Sequence, residues 1–78
     1  MKAEVLDYNK RWAWLRIPKT TARSHYILTV PRDVLKRGMA SATLVEANIS
    51  DIRHDEELGW TAEVEITDVL ERRDATGT

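Results

Sequence analysis

Two tryptophans stand two residues apart in Asn9-Lys10-Arg11-Trp12-Ala13-Trp14-Leu15-Arg16-Ile17, with basic residues on both sides and no acid among them. Indole planes beside guanidinium and ammonium groups suit one chemistry well: stacking on unpaired nucleobases while the cations offset phosphate charge. An extended strand would send Trp12, Trp14 and Arg16 to one face and Ala13, Leu15 and Ile17 to the other. Tryptophan taken alone is mostly buried. Burying this pair, however, would take Arg16 inside and leave three apolar residues in water, so the outward orientation is expected. Trp and Arg are also enriched at protein interfaces, which makes a protein partner the alternative occupant of the same face.

The charge distribution supports a local field despite a net charge of −1. Residues 9–37 carry Lys10, Arg11, Arg16, Lys19, Arg23, Arg32, Lys36 and Arg37 against Asp33 alone, a net +7. Residues 38–78 carry three bases against ten acids, a net −7. A segregated basic segment attracts polyanions even in a nearly neutral chain. Lys10, Arg11, Arg16, Lys19 and Arg23 are the expected phosphate contacts.

Other chemistries find little support. The chain has no cysteine and only His25 and His54 as imidazoles, so no metal site and no cofactor are expected. Ser24 and His25 are adjacent, which on a strand sends their side chains to opposite faces. Asp55, Glu56 and Glu57 form an acidic turn of the kind that is ordinarily solvated. No enzyme, and no small-molecule substrate, is expected. No apolar run reaches the roughly 20 residues needed to cross a bilayer, and the N-terminal residues lack the apolar stretch of a signal peptide, so a soluble, cytoplasmic protein with no membrane contact is expected.

The elements that must position the tryptophans can be read in order. Lys2 to Tyr8 reads as a strand whose apolar parity changes between Val5 and Tyr8, which predicts a bulge near Leu6. A polar turn over Asp7 to Lys10 leads into the tryptophan strand, which Pro18 ends. His25 to Val30 is a third strand that could turn either face inward. Pro31 starts a short helical turn through Arg37, with Gly38 as its stop. Ala42 to His54 is a fourth strand whose alternation slips before Ile52, which predicts a second bulge around Ser50-Asp51. After the turn at Gly59, the fifth strand alternates Trp60, Ala62, Val64 and Ile66 with polar residues, and the first set is expected inside. Leu15, Val64 and Ile66 are expected in the core. Residues 1–70 are expected to form one domain and 71–78 a flexible tail.

Five strands with one short helical turn between the third and fourth predict an all-β chain: a small five-stranded antiparallel Greek-key barrel of the oligonucleotide/oligosaccharide-binding (OB) fold. Over about residues 2–70 the chain also resembles the bacterial cold-shock domain. That family's Lys-Gly-aromatic-Gly-aromatic-aliphatic motif is matched by Lys10-Arg11-Trp12-Ala13-Trp14-Leu15, with Arg11 and Ala13 in place of the glycines. Its second motif, Val-Phe-Val-His-Phe, corresponds to Tyr26-Ile27-Leu28-Thr29-Val30, and a shift of one residue would place Tyr26 on the first of those aromatics. Leu58-Gly59-Trp60-Thr61-Ala62 is similar to the family's turn between its fourth and fifth strands, and Tyr8 is the nearest match to its first-strand aromatic. The resemblance implies binding of single-stranded RNA or DNA, as an RNA chaperone or a regulator of transcription or translation. It adds Tyr26 and Thr29 to the expected contacts Lys10, Arg11, Trp12, Trp14, Arg16, Lys19 and Arg23.

Overall fold

Runs of alternating side chains become five strands in the computed structural model, which describes residues 1–18 and 24–73. They are β1 (Lys2–Tyr8), β2 (Trp12–Pro18), β3 (His25–Pro31), β4 (Ala42–Asp55) and β5 (Gly59–Arg72). The sheet closes on itself in the order β1-β2-β3-β5-β4, a small OB-like barrel. Every pairing is antiparallel except the seam between β3 and β5, which runs parallel with Leu28 opposite Trp60. The seam is a consequence of counting: strand directions can alternate all the way round a ring only if the number of strands is even. Five strands therefore need one parallel join, and the expected antiparallel barrel has one.

The interior is narrow, and the sequence matches it with small residues. Ala3, Ala13, Ala42, Ala47 and Ala62 are buried beside the larger Leu15, Ile17, Leu28, Val30, Val45 and Ile66, an alternation of small and large that suits a small barrel. The expected core residues Leu15 and Ile66 are fully enclosed, while Val64 is partly buried and packs against the same cluster. The segment after β3 is shorter than expected, a 3-10 turn over Arg32–Val34. Leu35, which follows it, is buried in the core cluster, so the turn braces the barrel as anticipated.

Both parity slips are bulges. The register of β1 against β2 shifts between Val5 and Asp7, leaving Leu6 exposed and letting both Val5 and Tyr8 pack on the core. That of β4 against β5 shifts between Ser50 and Arg53, with Asp51 at φ 53°. A short polar side chain tolerates this left-handed conformation better than a branched one.

Two expectations need correction. Trp60 is not a core residue: it is 37% exposed. It stands at the β3–β5 seam opposite the fully enclosed Leu28 and beside the buried Thr61, where it packs against Tyr26 and stays partly open to solvent. Residues 50–55 of β4 are all exposed: β4 and β5 have 14 residues each against seven in the other strands, and β4 pairs with β1 only over Leu44 to Glu46. At the other end β5 runs to Arg72, so residues 71 and 72 of the expected tail belong to the strand. There the Arg72 guanidinium donates to the Gly38 carbonyl at 2.7 Å and to Ser41 Oγ at 3.0 Å, tying the strand end to the linker before β4.

Candidate nucleic-acid interface

β2 presents the face its alternation requires. Ala13, Leu15 and Ile17 are completely enclosed, while Trp12 and Trp14 are half-buried on the outside and Arg16 is exposed beside them. Across the sheet the register sets Pro31 opposite Trp12, Thr29 opposite Trp14 and Ile27 opposite Arg16. Ile27 is 53% exposed and extends the apolar rim outward.

The tight entry to β2 is built by Asn9. Its Oδ1 accepts from the backbone N–H groups of Arg11 and Trp12, each at 2.8 Å, and its own N–H donates to the Trp12 carbonyl at 2.8 Å. Asparagine is favoured in turns for this kind of bond to the following backbone. Lys10 and Arg11 are thereby held at the tip, exposed and, among the described residues, outside any ion pair. Arg11 Cζ lies 5.9 Å from the centre of the Trp12 ring, at the outer limit of a cation–π contact.

Not every expected contact residue joins this group. Arg16 is on the right face, but its Nε donates at 2.8 Å to Oε1 of Glu4, its cross-strand neighbour on β1, with which it forms an ion pair. Asp7 stands opposite Trp14 on the same strand, so the β1 flank of the tryptophan face is acidic. Thr29 is only 8% exposed: its neighbours cover it, and it supports the rim without being open to a ligand. Tyr26 belongs elsewhere. It pairs with inward-facing Ile17, is half-buried against the core, and meets the edge of Trp60 with ring centres 4.8 Å apart. The outer side of Trp60 is met by His54, its partner in the β4–β5 register, at 5.3 Å. Lys19 and Arg23 lie outside the described residues.

Two residues that were not among the expected contacts, Arg32 and Tyr8, complete the site. Arg32, just after β3, places Cζ 4.6 Å from the centre of the Tyr8 ring and donates from a terminal guanidinium nitrogen to the Leu35 carbonyl at 2.8 Å. Its backbone N–H donates to the Arg11 carbonyl at 2.9 Å, joining the 3-10 turn to the β1–β2 turn. Tyr8, Asn9, Lys10 and Arg32 surround an open concavity of about 470 Å³ next to Trp12. Only the basic stretch around Pro31 hinted at Arg32.

The opposite flank is acidic. Asn48, Ser50, Glu63, Val64 and Glu65 line a concavity of about 290 Å³ on β4 and β5. In the β4–β5 turn, Asp55 Oδ1 accepts from the N–H groups of Leu58 at 3.0 Å and Glu57 at 2.8 Å, and these bonds hold its carboxyl below the ordinary 3.8. Among the described residues no group of three His, Asp or Glu side chains could hold a metal, and no helix is long and apolar enough to cross a membrane. No protein-family model, no curated protein and no solved structure matches the chain.

Proposed function

We propose that this chain binds single-stranded RNA or DNA through the outer face of β2, in the manner of a cold-shock-like protein acting in the cytoplasm as an RNA chaperone or a regulator of transcription or translation. The observation that carries the reading is the outward pair Trp12 and Trp14 beside the cations Lys10 and Arg11, which form no ion pair among the described residues. Side chains two apart on a strand are roughly 6.8 Å from each other, twice the 3.4 Å rise per base in a duplex strand. Consecutive bases can lie on both indoles only if they are pulled apart from one another, which an unpaired strand allows and a duplex resists.

The test is a titration of intrinsic tryptophan fluorescence with short oligothymidylate and oligouridylate at low salt. Stacking should quench the indoles, and log K should fall with log salt by about 0.7 for each phosphate contact. Absence of quenching with either strand would overturn the reading. A second reading, a barrel that docks a protein through the same tryptophans, draws on the acids Glu4 and Asp7 lying along this face, which would oppose phosphate on the β1 side. Loss of a protein partner on substituting Trp14, with no affinity for either oligonucleotide, would favour it.

A further inference from the structure

The concavity between the β1–β2 turn and the end of β3 has a different composition from the tryptophan face. Its side chains are one aromatic ring, one amide and two cations, with no carboxylate among them. The exposed face of the Tyr8 ring is already covered by the Arg32 guanidinium at 4.6 Å, so Tyr8 supports a cation there and does not offer that face to a base. Arg32 is held from three directions: by the ring, by its bond to the Leu35 carbonyl and by its backbone bond to Arg11. Lys10 projects from a turn that Asn9 pins with three hydrogen bonds. Long basic side chains lay their aliphatic stems along apolar surface and keep the charge at the rim. Such a hollow, apolar below and doubly cationic above, fits a pentose with its phosphate.

Resting on the reading of Trp12 and Trp14 as stacking platforms, we propose that this concavity is a sugar–phosphate subsite, in which Lys10 and Arg32 bind one phosphodiester of the strand and Tyr8 positions Arg32. The polarity of the surface supports it. Farther along β1, Glu4 occupies Arg16, so phosphate is drawn to the Lys10–Arg32 end, while the Asp7 carboxylate between them accepts from the Tyr8 backbone N–H at 2.8 Å. The strand backbone therefore runs along the β1–β2 turn and the 3-10 turn, with its bases directed across β2.

The experiment compares the wild-type chain with Lys10→Gln and with the double variant Lys10→Gln/Arg32→Gln, titrating oligothymidylate at several salt concentrations and reading tryptophan quenching. Quenching at saturation should be unchanged, because the indoles still stack. The salt slope should fall by about 0.7 in the double variant, which loses the one phosphate contact, and by a part of that in the single. Lys10 is exposed at a turn, so its variant keeps the test valid even if the loss of Arg32 disturbs folding. Strands carrying a single uncharged methylphosphonate linkage supply the second arm. One linkage position should weaken binding to the wild type but not to the double variant. Unchanged slopes in both variants, or no linkage position behaving in this way, would overturn the subsite while leaving stacking intact. No quenching of the wild type by any strand would remove the stacking reading itself and the subsite with it.

Discussion

Replacing Trp14 by leucine separates the indole's role as a platform from its role as cover. Trp14 is half-buried, so of the roughly 150–250 Å² that a buried aromatic hides, about 100 Å² is in use here. Leucine on the same face restores much of that cover. At about 25 cal/mol per Å² the net loss of stability is near 1 kcal/mol, a fall in Tm of about 4–8 °C for a domain of this size. Leucine has no π-face, and losing one base–aromatic stack should cost about 1–3 kcal/mol of binding, a Kd raised roughly 5- to 150-fold. The control is Leu15→Ala, one residue along and fully enclosed. It should cost about 2–5 kcal/mol of stability out of the roughly 4–12 expected for 78 residues, and should spare the affinity of whatever fraction stays folded. Thermal melts and one binding isotherm per variant test the pair. A Trp14→Leu protein that melts as the wild type does and binds within twofold of it would refute the stacking argument. One that loses as much stability as Leu15→Ala would mean that the strand faces have been assigned the wrong way round.

Glu4→Gln should release Arg16 from its ion pair; oligothymidylate titrations should then show tighter binding and a salt slope steeper by about 0.7, and an unchanged slope would mean that the strand does not reach Arg16. Asp55 has a folded pKa below its ordinary 3.8, so its contribution to stability is present above that value and is lost as pH falls through the lower folded value. Asn in its place can still accept both turn bonds without titrating, so Asp55→Asn should make Tm fall less steeply below about pH 4, and an acid limb identical to that of the wild type would count against the bonds from Leu58 and Glu57. Gly59 sits at φ +78° with nothing within 4 Å of where a Cβ would go. Gly59→Ala should therefore cost only the left-handed backbone penalty, about 1–2 kcal/mol, read as a lower Tm with unchanged oligonucleotide affinity.

What the sequence alone determined was local and periodic. The orientation of Trp12 and Trp14 followed from parity, because a strand whose alternate residues are Ala13, Leu15 and Ile17 can bury only that side. The bulges near Leu6 and Asp51 were legible for the same reason: each is a break in alternation that a regular ladder cannot absorb. What only the tertiary structure decided were relations between strands whose separation in the chain says nothing of their separation in space. Trp60 continues the alternation of β5, yet stays 37% exposed because it sits at the β3–β5 seam, where Tyr26 and His54 cover it only in part. The ion pair of Arg16 with Glu4 came from the register of the β1–β2 hairpin, which the bulge near Leu6 shifts. Arg32 became part of the site because the end of β3 returns to the β1–β2 turn and lays its guanidinium on Tyr8. Periodicity records which way a side chain points, whereas the neighbour it meets depends on register and strand length, and these are fixed only when the whole barrel closes.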